Sequence, residues 1–377
     1  MLKILIAFVL FIAPPCFGAG HEQDVLSKTD VRQNAPRFAA LFYFTGFGDS
    51  LYAGNSMAPG GDVWVMGNQN PANGPPGSLN FWSVPFWSEM NSEPNVSESY
   101  RFYKKGYPDQ PNESLLNWHA QLLVDAGIDL IVIDLTNGLS DYVDGPSYLT
   151  GTRALLSAWQ ARSAKGLKTP QVTFFVRNEE TLIDVENEYF KVFDQSLFFE
   201  YLGKKLLLVA QPDSTLALND QAQPSIPVLG RFANYTARHC WGLDNSGTYW
   251  QFKTNSTTPV PPFEFQGHAE QLSAAVAVQS TYMTMDGKVA YNDARGRSGG
   301  KYFIQQMDTA IKLRPTFVFI HSWNEWTAIN LGSSEIPNFV DQWMAEYSSD
   351  IEPMAGGHGW FYYDLLKQKV QEFKTAQ

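Results

Sequence analysis

The chain reads as an α/β protein of the (β/α)8 TIM-type barrel class with long aromatic-rich loops. Three observations point there. Short apolar runs recur along its 377 residues, separated by stretches of helical spacing. The length sits inside the span of such barrels, roughly 200 to over 400 residues. No glycine-rich dinucleotide fingerprint follows any early run, which argues against an open doubly wound sheet.

From the N-terminus, residues 1–20 have the form of a secretory signal. Lys3 gives the positive start, residues 4–13 the apolar stretch, and Gly18, Ala19 and Gly20 the small cleavage zone. That stretch is about ten residues, half of the roughly 20 a membrane-crossing helix needs. The expectation is an exported protein, secreted or periplasmic, without a membrane span. Residues 21–36 are polar and aperiodic and form a loose arm. Residues 37–377 then make a single catalytic-type domain, and 44% hydrophobic content over the chain is ample for its core.

Expected strands are 38–44, 130–135, 172–176, 206–210, 227–232, 274–278 and 317–320, with an eighth among less regular segments. One helix is well marked between the first two. Asn112 can cap it, Leu115, Leu116, Leu122, Leu123 and Ala126 form its apolar face, and Gly127 ends it. The helix before the last strand carries Phe303, Ile304, Met307, Ala310 and Ile311 on one stripe, and Pro315 stops it. Two segments, 52 to about 108 and 245–267, are rich in Gly, Pro, Asn and aromatics and would wall a cleft.

The formal net charge is −11, so phosphate backbones would be repelled and nucleic acid is not an expected partner. Removing the segment with Lys3 leaves Cys240 as the single cysteine, which excludes an internal disulfide framework. No HExxH or paired-histidine spacing, G-x-S-x-G elbow or P-loop occurs, so neither a metal site nor a cofactor is expected. No obligate protein partner is evident.

The segment 316–326 carries the most functional information. An apolar run, Thr316-Phe-Val-Phe-Ile, breaks into His321, Ser322, Trp323, Asn324, Glu325 and Trp326. In a barrel, residues just past a strand's carboxyl end lie at the mouth, where the chemistry is done. A carboxylate between two indoles there suits a sugar: indole faces cover a pyranose, and the acid attends to the glycosidic oxygen. The surrounding indoles would raise the pKa of Glu325.

Sugar hydrolysis usually needs two carboxyl groups flanking the bond. Strand ends offer Asp49, Asp134, Glu179, Asp213 and Glu325. Asp134 directly follows an apolar run and is the best second acid, though capping the following loop is a common alternative for Asp. Glu179 belongs to an acidic face with Glu180, Glu186 and Glu188. Trp323, Trp326, Trp87 and Trp241 are candidates to stack on sugar rings, Asn324, His321 and Asp49 to bind substrate, and Asp134 could instead contact a sugar hydroxyl; Asp49 and Asp213 could equally be turn residues. Arg177, Arg231, Arg295 and Arg297 could bind an anionic substituent, with Arg295 and Arg297 beside a helix start the preferred pair. Internal ion pairing is the alternative for each, as loop stabilisation is for His321 and His358.

The segment 317–326, with Ile133-Asp134 ending an earlier strand, resembles the glycoside hydrolase family 99 and family 71-like barrels, whose relatives include WbsX-like proteins. Those chains have a strand ending in W-N-E-W, matched here by Trp323-Asn324-Glu325-Trp326. The resemblance implies a barrel fold and hydrolysis of α-linked mannose chains from within, by two nearby acids with participation of the sugar's 2-hydroxyl. Glu325 carries over as a motif member. Its partner does not, because Thr327-Ala328 stand where a further acid is expected. The expected function is a secreted glycosidase using Glu325 as general acid or base and Asp134 as the second carboxylate. A non-catalytic glycan-binding barrel and a protein-docking scaffold are the rivals.

Overall fold

The computed structural model describes residues 36–46, 113–140, 148–210, 230–242, 246–278, 295–325, 346–353 and 358–376. The N-terminal segment 1–20 expected to direct export, the expected arm up to residue 35, the aromatic-rich segment 52–108 and the Asn112 cap lie outside them, as do Asp49, Trp87, Asp213 and Trp326.

The strands are β1 (Phe38–Phe42), β2 (Leu130–Leu135), β3 (Gln171–Val176), β4 (Glu200–Tyr201), β5 (Lys204–Ala210), β6 (Thr236–Trp241), β7 (Trp250–Gln251), β8 (Phe263–Phe265), β9 (His268–Ala275) and β10 (Phe317–His321). The helices are α1 (Glu113–Asp125), α2 (Tyr148–Ala164), α3 (Glu179–Val185), α4 (Lys301–Leu313) and α5 (Phe361–Thr375). Eight strands run parallel in the order β7-β6-β5-β3-β2-β1-β10-β9, while β4 and β8 add antiparallel pieces beside β5 and β9. The sheet curls into a nearly closed barrel, so the TIM-type expectation holds.

Ring contacts locate the barrel interior, because several of them join strands that are not neighbours. Phe175 of β3 and Phe42 of β1 both touch Phe252, just past β7, at 5.7 and 5.3 Å, and Phe252 reaches Phe319 and His321 of β10 at 5.9 and 4.6 Å. Lower down, Phe317 meets Phe38, Trp250 and Tyr201 at 5.2, 5.0 and 4.9 Å. Side chains alternate faces along each strand, and residues paired across parallel strands share a face. Asp134, the register partner of inward-facing Phe175, therefore lies on the inner face at the carboxyl end of β2.

The seam between β7 and β9 is closed differently. Gln251 N donates to Gln271 Oε1 and Gln271 Nε2 donates to Gln251 O, both at 2.9 Å, so a side-chain amide stands in for the neighbouring strand's backbone. The amide oxygen of Gln251 in turn accepts from Ser273 N at 3.3 Å.

Both well-marked helices form where their apolar spacing places them. Leu115, Leu116, Leu123 and Ala126 bury the inner face of α1, and Gly127 follows at φ +78°, a conformation glycine adopts without strain. Phe303, Met307 and Ala310 do the same for α4, with Ile304 and Ile311 packed against the core. Helix α2 comes so close to the end of β1 that a Cβ at Gly151 would lie 2.0 Å from Thr45 O.

Two strand expectations need correction. The end of the expected strand 227–232 falls in a 3-10 turn, Gly230–Asn234, and the strand is β6. It was hidden because Thr-Ala-Arg-His-Cys-Trp is not an apolar run. The strand expected at 274–278 begins at His268, its start disguised by His268, Glu270 and Gln271. The eighth strand is β7, inside the segment read as a cleft-walling loop.

Candidate active site

The mouth is organised by the backbone that leaves β10. The His321–Ser322 peptide is cis. Trp323 N donates to Phe42 O at 2.8 Å, carrying the β1–β10 pairing past the strand end. Asn324 completes it: its Oδ1 accepts from Phe44 N at 2.8 Å, and its Nδ2 donates to Phe44 O at 3.2 Å. Asn324 thus makes the contacts a strand residue would make. Its part in the motif is to fix the chain, not to reach outward.

Glu325 follows, with only 1% of its surface exposed. Its Oε2 lies 3.5 Å from His321 Nε2, and its backbone N donates to Asp350 Oδ1 at 2.5 Å. That Asp350 oxygen also accepts from Ser322 Oγ at 2.6 Å. The segment 346–353 docks against residues 322–323 through Ser322 N to Ser349 O, Ile351 N to Ser322 O and Glu352 N to Trp323 O. Two buried cations hold it from the other side. Lys253 Nζ donates to Ser349 Oγ at 3.1 Å; Arg297 Nη2 donates to Asp350 O at 2.7 Å and Ser348 Oγ at 3.2 Å. A second buried chain joins it to the barrel wall, in which Tyr43 Oη meets His119 Nδ1 at 2.7 Å and His119 Nε2 meets Glu352 Oε1 at 2.8 Å. Burial first, and Glu352 second, push the Tyr43 hydroxyl well above its ordinary pKa, so it stays protonated.

His321 is fully buried, stacked on Phe42 at 4.5 Å with Phe252 edge-on at 4.6 Å. Burial holds its pKa well below the usual histidine value and Lys253 adds to the shift, so the ring is neutral at physiological pH. Asp134 has the opposite perturbation for a carboxylic acid. Burial raises it to about 6, against the opposing hydrogen bonds from Thr136. Its Oδ1 accepts from Thr136 N at 2.8 Å, the loop-capping contact that was its alternative role.

The remaining expected contacts fall elsewhere. Trp323, expected over a sugar, is fully buried and packs edge-on to His119 of α1 and Tyr363 of α5, so its indole belongs to the helix layer. Arg231 lies on the outer turn beside α3 and pairs with Glu186 at 2.9 Å and Glu179 at 3.7 Å. Arg297, expected to bind an anion, is 4% exposed, holds the 346–353 segment and stacks on Tyr362 at 4.2 Å. Arg295 pairs its backbone with Val278 through two 2.8 Å hydrogen bonds. Arg177 is exposed just past β3, Trp241 ends β6 with its side chain outside the described residues, and His358 caps a turn near Tyr362. Lys253, Asp350, Glu352, Tyr43 and His119 were not singled out as site residues. Only the Asp-Ile-Glu run hinted at two of them. Among the described residues no group of three metal-binding side chains is placed to hold an ion, and no helix is long and apolar enough to cross a membrane.

No family model and no curated protein matches this chain. Among solved structures it is similar to a GH99 endo-alpha-mannosidase from Bacteroides thetaiotaomicron in complex with BIS-TRIS-propane. The match has a TM-score of 0.52 and 15% identity over 90% of this chain and 98% of that one. A second structure of a GH99 endo-alpha-mannosidase from that organism aligns with a TM-score of 0.49 and 16% identity over the same shares. The first likeness establishes a GH99-like fold.

Proposed function

We propose that the chain is an exported glycoside hydrolase that cleaves glycosidic bonds in a polysaccharide or glycan, with Glu325 and Asp134 as its carboxyl pair. The observation that carries this reading is the placement of Glu325. It is fixed through its own backbone by Asp350, beside a neutral imidazole, at the carboxyl end of a barrel whose β2 presents a second, abnormally weak acid on the inner face. Two carboxyl groups held in unlike environments are what acid/base cleavage of an acetal requires. One gives a proton to the departing oxygen while the other works ionised. Over the cycle one water is added: its hydroxyl ends on the anomeric carbon, and its proton restores the acid.

The GH99-like fold supports a sugar-cleaving reading, and the acidic chain disfavours polyanion partners. The N-terminal 20 residues support export, which sequencing the mature N-terminus would check. Incubation with a panel of neutral and charged glycans should release new reducing ends, and Glu325→Gln should abolish that release with an unchanged melting temperature. Near-normal turnover in that variant would remove Glu325 from the mechanism. The missing acid at Thr327-Ala328 favours one other reading, a glycan-binding barrel without turnover. It predicts glycan-dependent stabilisation with no new reducing ends.

A further inference from the structure

His321 poses a problem that core packing does not answer. Among the described residues neither ring nitrogen of this fully buried histidine has a hydrogen-bond partner, although buried polar atoms nearly always find one. If the ring served only to fill the layer between Phe42 and Phe252, a phenylalanine would do so without leaving two polar atoms dry, as Phe319 does one turn of the alternation below. What distinguishes position 321 is its neighbour: Nε2 points at Glu325 Oε2 across 3.5 Å, slightly beyond hydrogen-bond length. Catalytic hydrogen bonds are often long in the free enzyme and tighten when substrate is bound.

The groups around the ring define its charge. Glu325 faces it from the loop after β10, Lys253 from the end of β7, and its register partner on β9 is Ala275. Phe42 of β1 and Phe252 beside β7 cover its faces. Lys253 is itself fully buried and tied to Ser349, next to the Asp350 that fixes the Glu325 backbone. A proton added to this imidazole would put a second positive charge beside the ammonium in a dry layer. One N–H and one lone pair is therefore the stable form, and the N–H can serve a carboxylate.

We propose that His321 is a positioning residue for Glu325, an uncharged imidazole whose N–H hydrogen-bonds the Glu325 carboxylate, keeps it ionised and assigns it the base role, leaving the acid role to Asp134. This rests on the hydrolase reading for its chemistry but not for its geometry. It also accounts for a W-N-E-W strand end that lacks the following acid: one of the two roles passes to an acid on β2, and the imidazole holds Glu325 in the other.

The test has two arms. In the full chain labelled with 15N-histidine, the His321 resonances should show one neutral tautomer from about pH 5 to 8 and should move when Glu325 is changed to Gln. A His321 signal that titrates with an ordinary histidine midpoint, or that ignores Glu325→Gln, overturns the pairing whether or not the chain cleaves any glycan. In the activity arm, His321→Phe keeps the ring packing and removes the donor. It should lower kcat about a hundredfold with little change in KM, and move the acid limb of the pH–rate profile upward. His321→Gln, which retains an N–H, should recover at least about tenfold of that loss. An unmoved acid limb in His321→Phe, with the His321→Gln variant no better, reduces the residue to packing and overturns the assignment. A wild-type chain with the NMR signature and no hydrolysis sinks the hydrolase reading instead.

Discussion

Two buried charge groups sit inside the same barrel and are treated in opposite ways. Toward the amino end, Arg238 of β6 and Glu270 of β9 form a closed bidentate pair, Nε to Oε2 at 2.7 Å and Nη2 to Oε1 at 2.8 Å. Trp250 Nε1 donates to the same carboxylate at 2.9 Å, Arg238 Nη1 donates to Ala237 O, and the guanidinium stacks on Phe265. Toward the carboxyl end, Glu325 faces His321 at a distance too long for a good hydrogen bond, in a cluster with Asp350, Lys253 and Arg297 in which Asp350 Oδ1 holds the Glu325 backbone N–H. The first group has its geometry completed from within the chain. The second has its backbone fixed and its ring nitrogens still to be served.

That contrast can be broken by mutation. Glu325→Gln should reduce turnover by about 10²–10⁴-fold while shifting stability by less than about 1 kcal/mol, read from steady-state rates and denaturant unfolding. Glu270→Ala should do the reverse. Stranding Arg238 in the interior costs about 3–5 kcal/mol, yet the folded fraction should keep its kcat. Comparable effects of the two variants on both measurements would erase the distinction between the two ends.

Asp134 sharpens it further. A carboxyl whose pKa rises to about 6 on folding binds more protons in the native state than in the unfolded one between its ordinary value and 6. Its contribution to stability is therefore lost as pH climbs through that window. Asp134→Asn should raise stability at pH 7 by up to about 2–3 kcal/mol, an advantage that fades toward pH 4, and should lower turnover. Wild-type activity should decline above about pH 6 as the acid ionises. An Asp134→Asn melting temperature that is equally shifted at both pH values would remove burial as the cause. Last, Gln271→Ala opens the amide bridge at the β7–β9 seam. It should cost about 1–3 kcal/mol by leaving Gln251 N and O without those partners, measured by the same unfolding series.

The parts of the molecule legible in the sequence share one property: their local pattern and their final environment agree. Strands β1, β2, β3, β5 and β10 are apolar because both faces are covered, so a hydrophobic run finds them. Helices α1 and α4 show their buried stripe directly. The places of Glu325 and Asp134 at strand ends were legible because a polar residue ending such a run must lie at one particular end of a parallel barrel. Strands β6 and β7 and the first half of β9 escaped because Arg238, Gln251, Glu270 and Gln271 point polar groups at one another, and their partners are 20 or more residues away. Trp323 misled for a related reason. An indole at a strand end looks the same whether it faces a sugar or the ring of His119.

The residues alone determined the class of fold, the direction of its strands and the end at which a carboxylate could act, because hydrophobic periodicity and helix punctuation are short-range properties. Tertiary structure decided which polar groups are spent on one another. It brought Asp350, Lys253 and Arg297 to the back of Glu325, moved Trp323 and Arg231 into the outer layer, and left His321 facing a carboxylate. Those outcomes depend on pairings between residues far apart in the chain, where the free energy of a charge is set by neighbours that no local pattern names.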